Sequence, residues 1–80
     1  MISSSQIRAG RALLGWSALD LANHSSVGVA SIRRYEVQDG VPSSNAKTLH
    51  ALKICLEEAG VEFTGDPLVN PGVVLHLKSV

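Results

Sequence analysis

Residues 17–36, Ser17-Ala18-Leu19-Asp20-Leu21-Ala22-Asn23-His24-Ser25-Ser26-Val27-Gly28-Val29-Ala30-Ser31-Ile32-Arg33-Arg34-Tyr35-Glu36, restrict the fold more than any other stretch of this chain. They read as two short helices joined by a tight turn. Leu21 and Ala22 sit on the first helix, Val27 at the turn, and Ile32 and Tyr35 on the second. Burying a large apolar side chain is worth about 1.5–3 kcal/mol. These positions must therefore share one small core, which locks the pair into a helix-turn-helix unit. The second helix then projects Val29, Ala30, Arg33 and Arg34 outward.

The core of so short a chain must be small. Eighty residues make one domain. A chain of that size buries only about 60–65% of the surface its unfolded form exposes, so dimerisation would help. At 45% hydrophobic residues the composition is too apolar for disorder. It contains no apolar run of about 18 residues, the length a membrane-spanning helix needs. Met1-Ile2-Ser3-Ser4-Ser5 has neither a basic start nor an apolar core, so no secretory signal is expected and the expected location is cytoplasmic.

Chemistry-bearing residues are sparse. Cys55 is alone, and His24, His50 and His76 show no ligand spacing, so no metal or other cofactor is expected. Asp39, Asp66 and the Glu57-Glu58 pair do not combine into an acid–base couple, and Ser17 and Ser31 lack a matched His–Asp arrangement. No glycine loop of the phosphate-binding kind occurs. An enzyme is not the expected reading.

Along the chain, helix 1 is predicted over residues 4–14, opened by the capping-box pattern Ser3-x-x-Gln6. Ile7, Gly10, Arg11 and Leu14 share one face of it, and Gly15 suits its end. Ser17 caps helix 2, with Asp20 in the favourable first turn, and that helix ends near His24. Helix 3 is predicted over 29–37, and residues 38–42 form a loop. Helix 4 starts near Ser44 or Asn45 and runs to Ala59, burying Leu49, Leu52, Leu56 and Ala59 with Cys55 beside them. Val61-Glu62-Phe63-Thr64 and the segment from Val73 to Lys78 alternate apolar and polar residues and read as two short strands. A lone hairpin is marginal in water, so these strands either pack on helix 4 or pair with a second subunit.

Net charge is zero, but unevenly distributed. Residues 1–50 carry a balance of +2 and residues 51–80 a balance of −2. Any DNA-facing surface therefore belongs to the first part. An α-helix fits the major groove, so the outward side of helix 3 suggests a reader of double-stranded DNA. Arg33 and Arg34 offer a fork for guanine and a clamp for phosphate. Val29 and Ala30 can pack on thymine methyls, and Gly28 and Ser31 offer an amide and a hydroxyl.

The order Gln6-Ile7-Arg8-x-x-Arg11-x-x-Leu14-Gly15-Trp16-Ser17, then Leu21-Ala22, Val27 to Glu36, Asp39-Gly40-Val41-Pro42 and Thr48-Leu49-x-x-Leu52, resembles the Cro and phage-repressor type of helix-turn-helix regulator, the XRE family. The ending Ala59-Gly60-Val61-Glu62-Phe63 with Pro71-Gly72-Val73 resembles a small single-domain bacterial subgroup. The resemblance implies a mainly α, lambda-repressor-like bundle of four or five helices, here followed by a C-terminal strand pair. On that resemblance, residues 1–60 are expected to form the helix-turn-helix DNA-binding domain and 61–80 a strand segment of the same domain that serves dimerisation. It also implies a buried pair between Arg11 and Glu36, and a start of helix 4, at Ser44, Asn45 and Lys47, that lies along the DNA backbone. Ser17 joins that DNA-facing set.

The sequence departs from the family at three places. Ala18 replaces a glutamine that commonly contacts phosphate, Leu19 is apolar at a usually polar position, and Ser26 stands where glycine often makes the turn. Few cations reach DNA, so a homodimer reading two half-sites about 34 Å apart is expected. Phe63, Val74, Leu75 and Leu77 are its candidate contacts, with closure of the chain's own core as their other use. The expected function is a dimeric repressor on a palindromic operator. The alternative is a protein-interaction module such as an antitoxin or antiactivator.

Overall fold

Ser3 opens the first helix. Its hydroxyl accepts from the Gln6 amide at 3.2 Å while the Gln6 side chain accepts from the Ser3 amide at 2.9 Å. This reciprocal cap starts α1 (Ser4–Leu13), followed by α2 (Ala18–Ser25), α3 (Val29–Glu36) and α4 (Ala46–Glu58). Two strands, β1 (Val61–Thr64) and β2 (Gly72–Leu75), complete the chain. The computed structural model describes residues 1–77, a small, mainly helical domain carrying a two-stranded antiparallel sheet.

One core holds the elements together. Ile7, Leu21, Ile32, Leu52 and Leu56 are fully buried, one or more from each helix, and Val61 extends the core into the sheet. The second helix packs on α3 and α4, and α1 on α3 and α4. Gly10 is buried where α1 meets the sheet: a Cβ there would stand 3.4 Å from Val61 and 3.6 Å from Leu56. Those are ordinary contact distances, so an alanine would fit there and the packing does not by itself require a residue that costs a helix interior about 1 kcal/mol relative to alanine.

The strands pair within the chain, in the register Val61↔Leu75, Glu62↔Val74, Phe63↔Val73 and Thr64↔Gly72. Side chains alternate between faces of a strand, so Val61, Phe63, Val73 and Leu75 point together at α1 and α4. The Gln6 amide nitrogen clamps the far end, donating to the carbonyls of Thr64 at 3.2 Å and Gly72 at 3.0 Å. At the near end, the Gly60 carbonyl accepts from the His76 amide at 2.8 Å.

Two expectations need correction. The second strand ends at Leu75, opposite the first residue of β1, with the His76 amide bonded instead to the Gly60 carbonyl in the connection from α4; Lys78 lies outside the described residues. Among the four proposed dimer contacts, Phe63 and Leu75 are half-buried against their own chain's core. Val74 faces outward, and Leu77 is 83% exposed.

Candidate nucleic-acid interface

The unit built by residues 17–36 rests on one capping box and one strained residue. Ser17 and Asp20 exchange hydrogen bonds at α2, the serine hydroxyl accepting from the Asp20 amide at 3.0 Å and the carboxylate from the Ser17 amide at 2.9 Å. The Ser17 amide, then its hydroxyl, holds the Asp20 carboxyl below the ordinary carboxylate range. Ser26 ends α2 in the left-handed region at φ 62°, the conformation the turn demands. Val27 then tucks against the core and Gly28 starts α3 with no side-chain cap on its first amides.

The inner side of α3 is fixed by Ile32, Tyr35 and Glu36, all buried. Glu36 accepts a bidentate bond from Arg11, from Nε at 2.9 Å and Nη2 at 2.8 Å, and the third Arg11 bond goes to the Trp16 carbonyl at 2.9 Å. Hydrogen bonding to Glu36 holds the Arg11 guanidinium above its ordinary value, against the opposing effect of burial. Arg8 donates to the main-chain carbonyl of Glu36. The expected Arg11–Glu36 pair thus anchors the end of α3 to α1.

Tyr35 is buried on the inner side of α3. Its phenol lies below the ordinary tyrosine range, chiefly through hydrogen bonding with Ser44, with desolvation opposing and Ser31 and Arg34 adding smaller effects. The Arg34 guanidinium sits 5.4 Å from the Tyr35 ring centre. Gln38 accepts from the Ser43 amide at 2.8 Å and so shapes the connection between α3 and α4. Asn45 caps α4, its side-chain oxygen accepting from the amide and hydroxyl of Thr48, both at 2.8 Å.

Ala30, Arg33, Arg34 and Lys47 are exposed, as are Gly28, Ser17 and Asn45, while Ser31 and Ser44 are half-buried. Val29 is the correction: it is half-buried and packed on the core, so its side chain closes the α3 start instead of projecting outward. Ser17 and Asn45 already spend their side-chain oxygens on caps. The charge reading also changes. Of five basic side chains in residues 1–50, Arg8 and Arg11 are engaged with Glu36, leaving Arg33, Arg34 and Lys47 as the exposed cations of the site.

Sequence reasoning missed the Arg8 bond, the clamp by Gln6 and the stack of Trp16 on His24, whose rings lie 4.2 Å apart at 7°. Only the capping motif around Gln6 carried any signal of these. Among the described residues no three His, Cys, Asp or Glu side chains gather as metal ligands, and no helix is long and apolar enough to cross a membrane. No protein-family model and no curated protein matches this chain.

Proposed function

We propose that the protein is a sequence-specific, double-stranded-DNA-binding transcriptional regulator of lambda-repressor-like fold, acting as a homodimeric repressor on a palindromic operator. One observation carries the reading. Helix α3 is pinned on its inner side by Ile32, Tyr35 and Glu36, while Ala30, Arg33 and Arg34 are exposed beside an N-terminus without a side-chain cap. A rigid helix with an apolar group, two guanidinium forks and unclaimed amides suits a groove lined by base edges and phosphates.

Roles follow from chemistry. Arg33 offers the bidentate fork to guanine O6 and N7, and Ala30 meets a thymine methyl. Arg34, lying along the Tyr35 ring, and Lys47 at the first turn of α4 neutralise phosphates. The Gly28 amide adds a neutral phosphate contact. The three exposed cations of the site, Arg33, Arg34 and Lys47, are few, so a second copy is needed, and Val74 and Leu77 are the outward apolar side chains that it would cover.

Titrating the protein into duplex DNA from its own upstream region, with a scrambled duplex as control, tests the reading. Preference for the upstream duplex by tenfold or more supports it, and equal binding of both counts against it. Leu19, 53% exposed on α2, favours one second reading: a protein partner seated on that helix, as in an antitoxin. A stable complex lost in Leu19→Ser, with no DNA shift at low salt, would favour that reading.

A further inference from the structure

A second surface feature lies outside α3. The segment before α1, the connection between α3 and α4, and the first half of α4 enclose a groove of about 600 Å³. That volume is within the roughly 300–1,000 Å³ range of small-molecule sites. Its walls are apolar, built by Ile2, Val41, Pro42 and Leu49. Its rim is not: Lys47, His50 and Lys53, three residues apart on α4, line it, and no acidic side chain does so among the described residues. Ala46 lines the same groove at the first position of α4.

We infer that this groove binds a small amphipathic anion, an unbranched aliphatic carboxylate whose tail lies on Ile2, Val41 and Leu49 and whose head meets Lys47 and Lys53. Charge complementarity selects this occupant. Apolar walls alone would accept any hydrocarbon, but a rim with two ammonium groups and no carboxylate favours an anionic head and disfavours a cationic one. Lys47 and Ser44 belong both to this groove and to the DNA-facing set. A bound carboxylate would draw Lys47 away from phosphate, so the ligand would loosen the operator complex. That consequence, unlike the site itself, rests on the DNA-binding reading.

Calorimetric titration of the full chain with sodium octanoate and sodium decanoate, each below its micelle concentration, tests the site without DNA. Saturable one-to-one binding is expected, decanoate binding about tenfold more tightly because each buried methylene contributes about 0.8 kcal/mol. Decyltrimethylammonium should bind at least tenfold more weakly than decanoate. Ala46→Glu puts an acid and extra bulk into the groove at an exposed first-turn position that tolerates both. It should lower decanoate affinity at least tenfold with an unchanged circular dichroism spectrum.

Absence of saturation, equal affinity for the two head groups, or an unaltered Ala46→Glu variant would overturn the site. An affinity that falls as protein concentration rises would assign the groove to a second copy and overturn it as well. Saturating decanoate should weaken a specific DNA complex at least tenfold in the wild type and not in Ala46→Glu. Binding of decanoate without that change would overturn the regulatory consequence and leave the site standing.

Discussion

Replacing Arg11 by Met tests how α3 is held. Glu36 is 7% exposed and takes two charge-assisted bonds from Arg11. Methionine keeps most of the aliphatic packing and leaves the carboxylate without its partner. Breaking a buried pair in this way costs about 3–5 kcal/mol. The Arg11 side chain is 23% exposed, so water reaches part of the pair and about 3 kcal/mol is the expected loss. A domain of 80 residues holds about 4–12 kcal/mol in total, so the variant sits near the limit of folding. Its Tm should fall by about 12–24 °C. Urea unfolding followed by Trp16 fluorescence is a direct assay, since the Trp16 carbonyl accepts from the same guanidinium. The double variant Arg11→Met/Glu36→Met should be more stable than Arg11→Met alone, because no unpaired charge remains. A loss below about 1 kcal/mol for Arg11→Met, or strictly additive single effects, would refute the reasoning.

Three further outcomes follow from single residues. Ser26→Gly removes a side chain from the left-handed region, a gain of about 1–2 kcal/mol that glycine's extra freedom when unfolded cuts to roughly 0.5–1; a lower urea midpoint would contradict this. Ser4→Ala deletes a buried hydroxyl without a hydrogen-bond partner, so stability should stay constant or rise by about 1 kcal/mol, and a loss of that size would reveal a partner. Burial, then the charge of Glu58, pushes the Cys55 thiol up, so its alkylation rate by iodoacetamide should rise with a midpoint above the ordinary 9.0. Because the folded value is the higher one, Cys55 contributes stability that is complete below the unfolded value and is lost as pH rises through the folded one. A midpoint at or below 9.0 would exclude the burial.

Local signals made most of the fold legible. Ser3-x-x-Gln6, Ser17 with Asp20, and the Leu49, Leu52, Leu56 stripe announced helices that start within a residue or two of the expected places. The packing of Gly10 against Val61 joins residues 51 positions apart and has no local trace. The same holds for Gln6, whose amide reaches Thr64 and Gly72 across the fold. Val29 stands three residues before Ile32 and seven before Glu36, so the helical period puts it on their buried face, and its inward position was legible in the spacing. Phe63 and Leu75 were recognisably apolar, but alternation along a strand says only that one face is buried, not by which subunit. Arg33 and Arg34 were legible as exposed; that Arg8 is engaged by the Glu36 carbonyl was not.

We propose that α3 reads DNA through Arg33 with few supporting charges. The most direct measurement compares wild type and Arg33→Ala on the same upstream duplex across a series of salt concentrations. A dimer with two cationic phosphate contacts per chain, from Arg34 and Lys47, should show a log–log slope of about −3.6. Arg33→Ala, with an unchanged circular dichroism spectrum, should lose about 1–3 kcal/mol per chain and its preference over the scrambled duplex. Unchanged affinity and preference in Arg33→Ala would contradict the account.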